Sequence, residues 1–581
     1  MTLVWPYVKL PYDTSIAIQG QDYPLNLYNP LNDSLRFVLF IFLPLSGYFF
    51  YRFFYGKITI NLSNDNKINK IDNNNKDLFF YTQILIIIVL FQFLSLDFKI
   101  FISNIDMFHE GLWLTASSNA IYTDELWQSS YVGRGLFGNF YNYFLWKFIN
   151  INSIGFSRFI PLVLTLCNKI LFILIAKSLI EKCLLTKVEK NLFLIILSFL
   201  LINLFAYDVT AGSYFRLFLI LIFSLFILNF FDASNNKSLS FIGIGLLSSI
   251  SMFWFIDVGF FINFLIIIFS IFLIYKKFFR YLIYLWAYII LGWLFCYTLL
   301  PEKEFLEFIS NTLSMISTIE YIGGLIYPTP FLSKDVRSTK ALLMILLTGV
   351  FVVNFLFKDK KFASTNTKLS LVSLFIISCV CFKIALGRSD TVHIKAGLIL
   401  IHVPFYYFII NYFIIFLKKI NILNKHLPII LLTFFLILNF NINKNIRIAN
   451  IPNFFSSVKL LIYKDDLAFL EKDYQELISY YKELVRQEEC VQIFTNENAI
   501  PYFLRKPTCS KFYTIYTSSP ENLQKKMIND ISFKKPNYIL YEFLIDGYSS
   551  PKLNLNLVND YILDNYSLFR KISKWTIYSI N

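Results

Sequence analysis

Long apolar runs recur along most of this 581-residue chain, and they constrain its fold more than any other feature. A helix needs about twenty consecutive apolar residues to cross the hydrocarbon core of a bilayer. Only 16% of the residues are charged, whereas a soluble globular chain carries about 25%. A set of water-soluble domains is therefore excluded, and the sequence predicts an all-α polytopic membrane bundle. The predicted spans, about twelve in number, are 36–54, 79–97, 158–180, 191–206, 214–231, 239–255, 258–275, 281–299, 341–357, 369–386, 396–417 and 426–441.

Basic residues concentrate in alternate loops between these runs, which predicts the orientation of the bundle. Loops rich in Lys and Arg stay on the cytoplasmic side. The N-terminal tail 1–35, the long loop 98–157 and the C-terminal segment 442–581 are therefore predicted to lie outside the cytoplasm, with 36–441 as the transmembrane domain. The net charge of +15 reflects these short loops and not a basic soluble face, so nucleic-acid binding is excluded. The basic loops are 57–76, 182–190, 237, 276–280, 358–368 and 418–425.

The pattern changes after residue 441, where charged and apolar positions alternate in shorter units. Residues 465–488 predict an amphipathic helix, and PENLQKKMIND (520–530) predicts a second helix. CVQIF, NYILYE and WTIYSI read as strands. The segment 442–581 is therefore predicted to be a small extracytoplasmic α/β domain. In that compartment Cys490 and Cys509 could form a disulfide.

Ionisable residues gather in the segments predicted to face outward, whereas the spans are mostly Ile, Leu and Phe. Charges near a bilayer are expensive unless they have partners or a function. A structural protein has little use for acids and bases from five separate outer segments. These residues are Asp106, His109 and Glu110; Asp124, Glu125 and Arg134; Asp208; Asp257; and Lys383, Arg388, Asp390, His393 and Lys395.

DMFHEG, which contains Asp106, His109 and Glu110, is the most pointed of these motifs. On a helix, residues three and four apart share a face. A carboxylate at the mouth of a membrane cleft is suited to act as a general base. The alternative interpretation is a solvated acidic cluster or a helix cap. No HExxH motif or Cys/His cluster indicates zinc; a hard divalent cation held by Asp106 and other carboxylates stays open, and no other cofactor is indicated.

GRSDTVHIK (387–395) combines Arg388, Asp390 and His393. The guanidinium fork of Arg388 matches a phosphate, and the alternative is that Arg388 simply pairs with an outer acid such as Asp390. Lys383 lies inside the preceding span, where it must either extend toward the interface or pair with a substrate group. TNEN (495–498) follows a predicted strand and suggests a helix start capped by Thr495 or Asn496.

PYDTSIAIQG, NPLNDSLRF, DMFHEG, ALGRSDTVHI and CVQIFTNENAIPYFL resemble recurring landmarks of a poorly characterised group of bacterial inner-membrane proteins. An acidic motif in a long outer loop, about a dozen spans and an outer α/β domain also resemble GT-C-type integral membrane glycosyltransferases. That class moves a sugar from a polyprenyl-phosphate donor to a lipid, glycan or protein. The resemblance implies that Asp106 is the base, with Glu110 its rival, and that Arg388 and His393 contact phosphate. One departure is the extra span that precedes the acidic loop.

The sequence therefore predicts a glycosyltransferase at the outer face of a bacterial inner membrane. Its partners would be a polyprenyl-phosphate-sugar donor, an acceptor and membrane lipids. The alternatives are a transporter or flippase of lipid-linked glycans, an O-antigen ligase or polymerase, and a non-catalytic scaffold. The candidate catalytic residues are Asp106 and Glu110, and the candidate substrate-binding residues are His109, Asp124, Arg134, Asp257, Lys383, Arg388, Asp390 and His393.

Overall fold

The structure is a computed structural model in which helices dominate and a small sheet forms near the C-terminus. It describes residues 3–13, 22–55, 75–94, 102–204, 213–232, 237–357, 364–419, 450–542 and 555–581.

The first half of the described chain is helical apart from its loops. A π-helical turn, Val38–Phe42, joins the second and third helices into one apolar rod. The helices are α1 (Asp22–Leu25), α2 (Asn32–Phe37), α3 (Leu43–Tyr55), α4 (Asn75–Leu94), α5 (His109–Thr123), α6 (Leu136–Asn139), α7 (Tyr141–Ile149), α8 (Ile154–Glu181), α9 (Lys187–Ile202), α10 (Ser213–Phe230), α11 (Lys237–Trp254) and α12 (Ile256–Tyr275).

The second half of the bundle continues in the same way, with shorter helices where polar motifs interrupt the apolar runs. The GRSDTVHIK motif, for example, separates two spans. The helices are α13 (Phe279–Leu299), α14 (Glu302–Gly323), α15 (Val336–Leu356), α16 (Thr365–Cys381), α17 (Lys383–Gly387), α18 (Thr391–Leu398), α19 (His402–Lys419) and α20 (Asn450–Tyr463).

The predicted membrane bundle is confirmed as a fold class. The described residues of every predicted span from 36–54 to 396–417 are mainly helical, whereas 426–441 lies outside the described residues. Within the described part of the chain, eight helical segments are long and apolar enough to cross a membrane. The total of twelve spans therefore stays a prediction.

Polar residues at helix starts explain where several helices begin. The Ser153 side chain accepts a hydrogen bond from the backbone N–H of Gly155 and opens α8, and Asp335 caps α15 in the same way. Thr186 and Glu189 form a capping box at the start of α9. Such caps satisfy backbone N–H groups that have no partner within the helix.

The C-terminal part contains a four-stranded sheet with helices packed beside it. The strand order is β1 (Gln492–Phe494), β2 (Tyr538–Glu542), β4 (Trp575–Ile580) and β3 (Tyr566–Ile572). β1 and β2 are parallel and the other pairs are antiparallel, so the predicted strands are present and β3 is an addition. The helices are α21 (Lys472–Leu484), α22 (Ile500–Leu504), α23 (Glu521–Lys534) and α24 (Asn556–Asn565).

The predicted continuous helix over 465–488 is wrong. A short 3-10 helix, Asp466–Phe469, precedes α21, and Leu470 between them is extended. The Asp465 side chain caps the short helix and accepts from the N–H of Leu467. The extended residue therefore interrupts the helix. The prediction missed this break because amphipathic spacing alone does not reveal an interruption between two short helices.

The C-terminal part docks directly on the loop that carries DMFHEG. The backbone N–H of Ala499 donates to the Met107 carbonyl at 3.0 Å, and Thr115 Oγ1 donates to the Asn498 carbonyl at 2.5 Å. A Cβ on Gly111 would lie 2.3 Å from the Ala499 nitrogen, so only glycine allows this approach. One buried hydrophobic cluster runs from the bundle into the sheet, so the two parts share a core.

Candidate functional site

A cavity of about 290 Å³ lies where the DMFHEG loop meets the C-terminal domain. The loop supplies one wall, and the start of α21 and the TNEN turn supply the other. Acidic, amide and aromatic side chains therefore face a common space. The lining residues are Ile105, Asp106, Met107, Phe108, Glu471, Tyr474, Asn496 and Glu497.

Asp106 lines this cavity and is held by the backbone that follows it. Its Oδ1 accepts from the N–H groups of Phe108 at 3.0 Å and His109 at 2.8 Å, and its Oδ2 lies 2.9 Å from His109 Nδ1. Burial raises the pKa of Asp106, but the hydrogen bonds from His109 and Phe108 outweigh it and hold the pKa below its ordinary value of 3.8. With 34% of its side chain exposed, Asp106 is an ionised, accessible carboxylate.

Glu110 does not share this environment. Its carboxylate accepts from Arg158 Nε at 2.8 Å and Arg158 Nη2 at 2.7 Å, and both side chains are only 2% exposed. Glu110 Oε1 also accepts from the backbone N–H of Asp106 at 3.0 Å. The expectation that Asp106, His109 and Glu110 share a helical face is wrong, because α5 begins at His109 and leaves Asp106 outside it. Glu110 thus stabilises the loop through buried hydrogen bonds to Arg158 and to the backbone of Asp106.

Arg388, Asp390 and His393 form a second polar cluster. Arg388 Nε donates to Asp390 Oδ2 at 2.8 Å, and Asp390 Oδ1 lies 2.7 Å from His393 Nδ1. Asp390 also caps α18 by accepting from the N–H groups of Val392 and His393. Burial raises the pKa of Asp390, but the bonds to His393 and Arg388 hold it well below its usual range. The pairing of Arg388 with Asp390, left open by the sequence, is present.

Tyr516 joins the two clusters. Arg388 Nη1 donates to the Tyr516 hydroxyl at 2.8 Å, and the Tyr516 ring meets the Phe108 ring edge-on at a centroid distance of 5.8 Å. Phe108 lines the cavity with Asp106. Arg388 and His393 are not among the described residues that line it, and Arg388 is connected to the cavity wall through this aromatic pair.

Asp257 is paired with a cation that the sequence reasoning missed. Arg216 Nε donates to Asp257 Oδ2 at 2.8 Å, and the Arg216 guanidinium lies 4.6 Å from the centre of the Phe255 ring. Arg216 also interacts electrostatically with His393, which connects Asp257 to the Arg388 cluster. The sequence signal that could have identified Arg216 is a charge inside the predicted span 214–231. Arg158, at the start of 158–180, carries the same signal.

Two other predicted substrate-binding residues lie in ion pairs. Lys383 Nζ is 2.6 Å from Glu320 Oε1, so its partner is an acid of α14 and its charge is compensated within the protein. Asp124 Oδ1 accepts from Lys147 Nζ at 2.6 Å with both side chains exposed, and this hydrogen bond lowers the pKa of Asp124.

Arg134 and the TNEN turn are the remaining sequence features predicted near the site. The Arg134 guanidinium lies 6.0 Å from the centre of the Trp113 ring, and Arg134 is not among the described residues that line the cavity. The expected helix cap at Thr495 or Asn496 is wrong, because α22 starts later, with Ala499 before it. Glu497 instead pairs with Lys574. Asp208 lies outside the described residues.

The described residues were predicted to include carboxylates that could hold a divalent cation. Among the described residues, no group of three or more His, Cys, Asp or Glu side chains is arranged to hold a metal ion. The carboxylates of Asp106 and Glu497 each have a nitrogen partner, His109 and Lys574.

Comparison with known proteins gives a likeness to solved structures. No family model and no curated protein matches the sequence. The crystal structure of ArnT from Cupriavidus metallidurans bound to undecaprenyl phosphate is similar, with a TM-score of 0.43 and 10% identity over 87% of this chain and 98% of that chain. ArnT is a GT-C glycosyltransferase, the class that the sequence landmarks resemble. At this identity and TM-score, the likeness assigns neither an activity nor site residues to this chain.

Proposed function

We propose that this protein is a membrane glycosyltransferase that moves a sugar from a polyprenyl-phosphate donor to a hydroxyl of a lipid, glycan or protein on the outer face of a bacterial inner membrane. The observation that carries the proposal is the position of Asp106. It is an ionised carboxylate on the wall of a cavity formed jointly by the membrane bundle and the C-terminal domain.

Asp106 acts as the general base in this reaction. The acceptor oxygen attacks C1 of the sugar, its proton passes to the Asp106 carboxylate, and the bond from C1 to the phosphate oxygen breaks with its electron pair leaving on the phosphate. The attack inverts the configuration at C1. A positioned base of this kind contributes about 10²–10⁴-fold to the rate.

The Arg388 cluster binds the departing phosphate. Arg388 offers a planar guanidinium suited to phosphate oxygens, and His393 contacts the same carboxylate, that of Asp390. A positive group such as the Arg388 guanidinium, fixed where negative charge develops, stabilises the transition state. The contact from Arg388 through Tyr516 to Phe108 supports a donor bound within reach of both clusters.

The Cys490–Cys509 disulfide supports the proposed location of the C-terminal domain. Disulfides persist in oxidising compartments and are rare in the cytosol. The cavity lies against this domain, so transfer takes place on the same side of the membrane. A donor carried by a lipid phosphate suits that side, because it needs no cytoplasmic nucleotide sugar.

Asp106→Asn is the test of the proposal. Asparagine keeps the Oδ1 acceptor for the N–H groups of Phe108 and His109, so folding should be preserved while the base is lost. The assay is mass spectrometry of cell-envelope glycans from a deletion strain that carries either the wild-type or the variant gene. We expect the product glycan to fall by about 10²-fold or more, with unchanged protein in the membrane.

Asp560→Asn is the matched control, since Asp560 is an exposed acid on α24 outside the cavity. It should restore the glycan to the wild-type level. Full restoration by Asp106→Asn would remove Asp106 from the mechanism. If deletion of the gene leaves every envelope glycan unchanged, the glycosyltransferase proposal itself is wrong.

A further inference from the structure

We propose that Tyr516, supplied by the C-terminal domain, is a positioning residue that fixes the Arg388 guanidinium for the donor phosphate. The role rests on the proposed function, in which Arg388 binds that phosphate. It would make the C-terminal domain a structural part of the donor site as well as a wall of the cavity.

Three acceptors occupy the Nε and Nη1 donors of the Arg388 guanidinium. Nε donates to Asp390 Oδ2 at 2.8 Å, and Nη1 donates to the Gly323 carbonyl at 3.0 Å and to the Tyr516 hydroxyl at 2.8 Å. A guanidinium has five N–H donors in a rigid plane. The Nη2 group has no hydrogen-bond partner within the described ranges, and 31% of the Arg388 side chain is exposed. The two N–H donors of Nη2 therefore stay available on a guanidinium whose orientation is fixed.

Tyr516 is itself rigidly held. It lies in a 3-10 turn, Ile515–Thr517, that Thr514 caps. The Thr514 Oγ1 accepts a hydrogen bond from the Tyr516 N–H at 3.3 Å. Ser518 Oγ donates back to the Thr514 carbonyl at 2.8 Å. The hydroxyl of Tyr516 thus has a defined place, which is what a positioning contact needs.

Gly323, at the end of α14, makes room for this hydroxyl. A Cβ at Gly323 would lie 2.1 Å from the Tyr516 hydroxyl oxygen and 3.4 Å from Arg388 Nη1. Any side chain here would push the tyrosine away from the arginine. The close approach of three chain segments at one point supports a role in holding the guanidinium.

The same tyrosine contacts the loop of the proposed base. Its ring meets Phe108 edge-on, and the Phe108 N–H donates to Asp106. Tyr516 therefore fixes the separation between the phosphate-binding group and the base. A group transfer depends on such positioning, because the base and the leaving group act on the same sugar.

The test is a double-mutant cycle on binding of undecaprenyl phosphate to the full-length protein in nanodiscs, measured by native mass spectrometry. We expect Tyr516→Phe to weaken binding about tenfold, since a hydrogen bond to a charged group is lost. Arg388→Gln should weaken it at least as much. In the Arg388→Gln background, Tyr516→Phe should change the affinity by less than about twofold, because the two residues act as one unit.

Tyr513→Phe is the matched control. The Tyr513 hydroxyl donates to the Leu112 carbonyl at 2.6 Å and so helps to dock the same segment without contacting Arg388. It should lower the melting temperature and leave the affinity for undecaprenyl phosphate unchanged. A purely structural role of Tyr516 would give the two variants the same behaviour.

The outcomes separate the two proposals. Equal effects of Tyr516→Phe in the wild-type and Arg388→Gln backgrounds would overturn the positioning role and leave the proposed function standing. No saturable binding by the wild type, or full binding by Arg388→Gln, would overturn the donor site and the positioning role with it.

Discussion

Removing Glu110 should destabilise the fold far more than removing Asp106, although the two acids are four residues apart. The substitution is Glu110→Leu, which deletes the carboxylate and keeps an apolar side chain of similar length. It leaves the Arg158 guanidinium, 2% exposed, without the two bonds of 2.8 and 2.7 Å that now neutralise it. Breaking a buried ion pair on one side costs about 3–5 kcal/mol.

Two features of the structure set where in that range the loss falls. Arg158 keeps hydrogen bonds to the carbonyls of Ser103 and Asn104, which moderates the loss. The Asp106 N–H, however, also loses its acceptor on Glu110. An N–H left without a partner adds about 1–3 kcal/mol if it stays buried. We therefore expect a loss in the upper part of the range.

The assay is thermal unfolding of the purified protein in detergent, followed by tryptophan fluorescence. The control is the double variant Glu110→Leu/Arg158→Met, which replaces the whole pair by apolar side chains. Such replacements are often neutral or stabilising, so the double variant should melt well above the single variant. A single variant that melts like the wild type, or a double variant that melts as low as the single, would refute the reasoning.

Two further predictions concern the same region. His109→Gln removes the ring that lies 2.9 Å from Asp106 Oδ2, so the pKa of Asp106 should rise from its lowered value. In a pH–rate profile, the variant should therefore lose activity at a higher pH than the wild type does. An acid limb at the same pH in both proteins would show that His109 does not set the pKa of Asp106. Cys490→Ser removes a disulfide with a sequence separation of 19 and should lower the free energy of unfolding of the C-terminal domain by about 3 kcal/mol, measured by urea unfolding. If a membrane-impermeant maleimide labels both cysteines of the wild-type protein in untreated cells, the disulfide is not present.

The sequence predicted the helices of the bundle well because a single physical requirement dictates them. A segment of about twenty apolar residues has few stable environments other than a bilayer. The helix α14 (Glu302–Gly323) was missed because its charged positions, such as Glu304 and Glu320, hide its apolar face from a search for continuous runs. The strands near the C-terminus were found because short apolar units separated by turn residues are typical of a sheet.

The candidate site was only partly predictable. DMFHEG and GRSDTVHIK stood out because charges are rare in this chain, but spacing did not distinguish the exposed carboxylate of Asp106 from the buried one of Glu110. Arg158 and Arg216 carried the same signal as Lys383, a charge within an apolar run. Tyr516 carried none, because its partner Arg388 is 128 positions away and tyrosine is common throughout the chain.

The docking of the TNEN turn on the acidic loop has a consequence for biogenesis. The Asn498 side chain binds the carbonyl of Phe108 across 390 positions of sequence. Helices of the bundle can insert while translation is still under way, since each forms its own hydrogen bonds. The loop with Asp106, by contrast, lacks its contacts with Asn498 and Ala499 until that turn has been synthesised. A chain that ends before this turn would thus have its bundle helices but not the hydrogen bonds that connect the acidic loop to the C-terminal part.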